Sequence, residues 1–102
     1  MVPRAQRFPI RTVMQYRVIG ESQWYTGTVE NMSATGVLFR GDQPLQVNSP
    51  IEVAVDVSRN LTESLNSKMV SRGRVVRVSK SESDSEVVVM AAALNRLRIL
   101  RD

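Results

Sequence analysis

The stretch Val29-Glu30-Asn31-Met32-Ser33-Ala34-Thr35-Gly36-Val37-Leu38-Phe39 sets apolar residues on both sides of a short polar turn. Asn31 and Ser33 carry side chains that bend back on the local backbone, as in Asx- and ST-turns. Gly36 supplies a positive φ if the turn requires one. The plain structural reading is a tight connection between two strands. A second reading asks what the turn displays. Residues two apart in extended chain face the same side. Asn31 and Ser33 then offer an amide and a hydroxyl together, a suitable pair for the edge of a nucleobase.

Outward from this turn the chain divides into short strand-like segments. In Thr12–Ile19, Met14, Tyr16 and Val18 alternate with Gln15 and Arg17. After a turn at Gly20-Glu21-Ser22, Gln23–Met32 carries Trp24, Tyr25 and the β-favouring Thr26, Thr28 and Val29. Val37–Arg40 is the third strand, followed by a loop at Gly41-Asp42-Gln43-Pro44. Ile51, Val53, Val55 and Val57 alternate with Glu52, Ala54, Asp56 and Ser58, which implies one buried and one wet face. Residues 59–67 are polar and predict a flexible loop, with one helical turn conceivable over Leu61–Leu65. Lys68–Ser79 returns as strand, and its apolar positions change parity at Val75-Val76, pointing to a bulge or twist. Lys80–Glu86 is a solvated hairpin loop, and Val87–Ala93 is the last strand. Leu94–Asp102 predicts a short helix, because Leu94, Leu97 and Leu100 repeat at three-residue spacing with arginines on the other side. The fold class is therefore all-β: a small six-stranded antiparallel β-barrel with a short C-terminal α-helix at one end. Residues 1–11, in which Pro3 and Pro9 oppose helix, form a flexible basic arm, and residues 12–102 form the barrel with its helix.

Composition narrows the function. The 102 residues suit one domain, and 42% hydrophobic content is enough for a core. Cysteine and histidine are both absent, which excludes disulfides, thiolate or imidazole metal ligands, and His-dependent catalysis. Glu82, Asp84 and Glu86 fall in the solvated loop, so no carboxylate pair is placed for acid–base work, and no enzyme activity and no cofactor are expected. The longest apolar run, Val87–Leu94, is far short of the ~20 residues of a membrane helix. The N-terminus lacks an apolar stretch behind its charges, so no signal peptide is expected and a cytoplasmic location is. Fourteen Lys+Arg against ten Asp+Glu give a formal charge of +4, which favours an anionic partner. The basic residues gather in three places: Arg4, Arg7, Arg11 and Arg17; Arg72, Arg74, Arg77 and Lys80; and Arg96, Arg98 and Arg101.

Arg7-Phe8-Pro9-Ile10-Arg11 places two arginines four positions apart. Their Cα atoms are roughly 13 Å apart if this segment is extended. Guanidinium forks at that distance suit two phosphates of one ligand, or a phosphate and a base, since Arg both pairs with phosphate oxygens and stacks on rings. The alternative is an arm that is simply solvated.

Taken together, the two stretches resemble the PilZ domain family, whose signature is R-x-x-x-R followed some tens of residues later by [D/N]-x-S-x-x-G. Arg7, Arg11, Asn31, Ser33 and Gly36 fill all five positions. The resemblance runs from Arg7 to near the C-terminus and implies a barrel of the kind read above. It also implies a ligand, cyclic di-GMP, a bacterial second messenger with two guanines and two phosphates. By that resemblance Arg7 and Arg11 clamp phosphates and stack on guanines, Asn31 and Ser33 meet a guanine edge, and Gly36 shapes the turn. Three positions depart from the family pattern. Asn31 stands where Asp is common, Gln6 where an arginine accompanies binding of a stacked ligand pair, and Val89–Ala93 lacks a glycine common near the ligand. The expected function is a receptor module that changes conformation on binding and signals to a downstream protein partner. Two alternatives stand beside it. One is a barrel binding single-stranded nucleic acid through Trp24, Tyr25 and Phe39. The other is an interaction adaptor that uses no ligand.

Overall fold

Alternation of apolar and polar residues does build strands here. The computed structural model describes residues 12–56, 67–81 and 86–101. Its elements are β1 (Thr12–Val18), β2 (Tyr25–Ser33), β3 (Gly36–Gly41), β4 (Pro50–Asp56), β5 (Ser67–Lys80) and β6 (Val88–Arg101). All neighbours pair antiparallel and close a barrel in the order β1-β2-β3-β6-β5-β4. Closure leaves no sheet edge to protect and gives every strand one inner and one outer face. The basic arm with Arg7 and Arg11, and the possible turn at Leu61–Leu65, lie outside the described residues.

The inner face is apolar. Ile51, Val53 and Val55 of β4 are buried in the alternation read from the sequence. Tyr16 is fully buried, with its ring 4.9 Å from Phe39 and 5.6 Å from Tyr25. Its hydroxyl donates to the Gln43 carbonyl at 2.8 Å, so the one polar atom of a large buried ring is satisfied. Burial pushes this phenol up to about 12. Room for the ring comes from Gly27 and Gly41, which face each other across β2 and β3. A Cβ at Gly41 would collide with the Tyr16 hydroxyl.

The predicted C-terminal helix over Leu94–Asp102 is not formed within the described residues. Leu94–Arg101 continues β6, paired to β5 from Gly73↔Leu94 to Ser67↔Arg101. A helix of so few residues is marginal in water. As strand, the same residues complete the hydrogen-bond ladder along the first half of β5. The first leucine step, Leu94 to Leu97, spans an extra residue of β6, Asn95, where the pairing slips between Arg72↔Arg96 and Gly73↔Leu94. A one-residue bulge makes the three-residue step from Leu94 to Leu97 equivalent to one period of a strand.

Candidate ligand-binding groove

In β2, Gly27 and Val29 are buried on the inner face. Unbroken alternation would send Asn31 and Ser33 inward as well. The pairing with β3 prevents this. Val29 faces Phe39, yet Asn31 faces Leu38, so Glu30 is an extra residue in β2. The bulge passes the inward position to Met32, which is only 4% exposed, and turns Asn31 and Ser33 to the outer face. Glu30 is tied across the strands by an ion pair to Arg40, Oε2 to Nε at 3.1 Å.

Ala34 and Thr35 then connect β2 to β3, with Ser33 paired to Gly36. The Ser33 hydroxyl accepts the Thr35 amide at 3.3 Å and lies 3.4 Å from the Thr35 hydroxyl. This is the ST-turn expected from the sequence. The far side of the turn is held by the Leu94 amide donating to the Thr35 carbonyl at 2.9 Å. Gly36 does not use a positive φ; among the described residues only Gly20 and Asn48 do. Its value lies in its missing side chain. It shares the outward parity of Leu38, and an added Cβ would stand 3.3 Å from the Ala92 carbonyl, at the floor of a groove.

That groove, about 340 Å³, crosses four strands on the outside of the barrel. Two rows of paired residues cross these strands, and all of the first, with Ser33 and Gly36 of the second, line the groove. Asn31 of β2 pairs with Leu38 of β3, Leu38 with Ala91 of β6, and Ala91 with Arg77 of β5. One step along, Ser33 pairs with Gly36, Gly36 with Ala93, and Ala93 with Arg74. At ~4.8 Å between strands each row is about 14 Å from end to end. The β2 end is polar, the middle is small or apolar, and the β5 end is basic. Ala91, in the segment that lacks the family's glycine, lines the groove and keeps its floor low. A larger hollow of about 520 Å³ involves Arg72 and Arg74. Both cations are engaged there, Arg72 by Glu52 and Arg74 by the Asn48 carbonyl. The smaller groove, which carries the motif, is therefore the candidate site.

Of the five residues predicted for the site, Asn31, Ser33 and Gly36 come together on this groove. Arg7 and Arg11 lie outside the described residues. The chain that follows them does have a fixed place: Thr12 pairs with Val29, beside the Glu30 bulge, and its hydroxyl donates to the Asp56 carbonyl at 3.1 Å. Arg77 was not singled out from sequence, where it was one of several arginines in a strand. The parity change at Val75-Val76 held the missing signal. The register slip between Val75 and Arg77 makes Val76 the extra residue, and that slip brings Arg77 to the groove. No cluster of three or more His, Cys, Asp or Glu among the described residues is placed to hold a metal. No helix among them is long and apolar enough to cross a membrane.

In comparisons with known proteins, the family profile described as PilZ domain matches residues 3–98. A solved structure, the Bacillus subtilis inhibitor of motility MotI/DgrA, superposes with a TM-score of 0.73 at 13% sequence identity. The match covers 96% of this chain and 44% of that one, so this chain spans less than half the length of its structural neighbour. No curated protein matches in sequence.

Proposed function

The chain belongs to the PilZ domain family, and on that premise we propose that it is a non-catalytic receptor module for cyclic di-GMP, bound on the outer wall of the barrel. The observation that carries this reading is the Glu30 bulge, which aims Asn31 and Ser33 outward beside the point where the arginine arm joins β1. In the proposed complex, Asn31 and Ser33 hydrogen-bond the edge of one guanine, which lies over the floor at Gly36 and Leu38. Arg7 and Arg11 close from the arm onto phosphates and guanine faces. Charge-assisted hydrogen bonds contribute roughly 1.5–3 kcal/mol each, and a few of them reach micromolar affinity, about −8 kcal/mol. Fixing the arm on the barrel wall is the conformational change, and a downstream protein reads it. Because the ligand is a bacterial second messenger, the proposed setting is bacterial cytoplasm.

Titration calorimetry with cyclic di-GMP, with GTP and a short oligonucleotide as controls, tests the reading. The expected result is micromolar or tighter binding of cyclic di-GMP alone, lost in Arg7→Ala and Arg11→Ala with the melting temperature unchanged. Wild-type affinity in those variants overturns the clamp, and no binding to the folded protein overturns the receptor. Binding of single-stranded nucleic acid is the weaker reading. Tyr16 and Phe39 are fully buried, and Tyr25 packs on the core. Trp24 is 37% exposed and lies 4.6 Å from the Arg17 guanidinium, so the described surface offers no run of stacking rings.

A further inference from the structure

We propose that Arg77 is a ligand residue of this groove, holding a phosphate of the dinucleotide from the barrel wall. The inference rests on the cyclic di-GMP reading above and adds to it a contact outside the signature motif. Three observations converge on Arg77. It is exposed and lines the groove with Asn31, Ser33 and Gly36. It stands at the end of the row opposite Asn31, with only Leu38 and Ala91 between them. Among the described residues its guanidinium makes no ion pair, whereas Arg17 and Arg72 are held by Glu52 and Arg40 by Glu30. Its neighbour on the parallel row, Arg74, donates to the Asn48 carbonyl at 3.1 Å. Among the described residues, Arg77 is thus the uncommitted cation on the groove.

The chemistry of the ligand assigns the contact. A guanine whose reading edge meets Asn31 and Ser33 directs its glycosidic bond away from them, across the low floor. The ribose and phosphate that follow that bond come to lie toward β5. A guanidinium fork there pairs with two phosphate oxygens. The Val76 bulge makes this possible. With unbroken alternation Arg77 would share the inward parity of the buried Val75.

The test compares Arg77→Ala, Arg77→Lys and Arg77→Gln by titration with cyclic di-GMP, and repeats Arg77→Ala with guanosine as a phosphate-free probe in competition. Arg77→Ala and Arg77→Gln are expected to weaken cyclic di-GMP about 10- to 100-fold, with an unchanged melting temperature. Arg77→Lys is expected to recover part of the affinity as a point charge, and guanosine to show the same inhibition constant for wild type and Arg77→Ala. Wild-type affinity in Arg77→Ala overturns the proposal while leaving the receptor reading intact. A parallel loss for guanosine, or no recovery by lysine, overturns the phosphate assignment. If wild type itself ignores cyclic di-GMP, the receptor reading and this inference fall together.

Discussion

Glu52 shows how a single carboxylate on the outer face joins three strands. It accepts from Arg17 of β1, with Nη2 at 2.8 Å, and from Arg72 of β5, with Nε at 3.3 Å. Burial alone would push its carboxyl up, but the two hydrogen bonds and the two positive charges outweigh it and hold the group below its usual 4.5. A folded-state value below the unfolded one adds stability above the unfolded pKa, and that stability is lost as pH falls through the folded value. Between pH 6 and pH 3, wild type should therefore lose more denaturant stability than Glu52→Gln, which is less stable at pH 6. Chemical denaturation at several pH values checks this, and parallel pH profiles for the two proteins would remove the assignment. At this scale the sequence was informative where side-chain chemistry is local. Asn31 and Ser33 announced a displayed polar pair, and the Ser33 turn formed as read. Arg77 stayed hidden, because whether a strand arginine meets solvent or a groove depends on the neighbours that other strands bring.

At the scale of elements, bulges decide what the groove contains. An extra residue at Glu30 turns Asn31 and Ser33 outward, and one at Val76 does the same for Arg77. Each slip costs ladder hydrogen bonds locally and exchanges the two faces of the strand beyond it. The Val75-Val76 bulge was visible in the sequence because hydrophobic parity breaks there. The Glu30 bulge leaves a fainter trace, a three-residue step between the buried Val29 and Met32. In the C-terminal segment the bulge at Asn95 gives the Leu94–Leu97 step the look of a helix. Nuclear magnetic resonance of the protein should give strand-type backbone shifts from Leu94 to Leu100. It should also show cross-strand contacts for Ser71↔Leu97 and Met69↔Ile99, the pairs set by the ladder. A run of helical shifts over these residues would contradict the extended β6.

At the scale of the whole molecule, closure makes the outer wall rigid, since β1 and β4, far apart in sequence, seal the barrel. A ligand that binds this folded wall and not the unfolded chain must stabilise the barrel by mass action. At a hundredfold excess over its Kd the gain is about 2.7 kcal/mol. For a domain of this size that corresponds to a rise in melting temperature of roughly 10–20 °C. Thermal melts with cyclic di-GMP should show such a shift, and melts with GTP should show none. An unchanged melting temperature at saturating cyclic di-GMP would count against binding to the folded barrel. By itself the sequence determined the all-β class, the six strands and the family signature, because alternation, turn chemistry and motif spacing are properties of neighbouring residues. Only the tertiary structure decided that β6 runs on as strand and that Arg77 stands across the groove from Asn31. Those outcomes depend on register, and register is settled by pairing between segments distant in the chain.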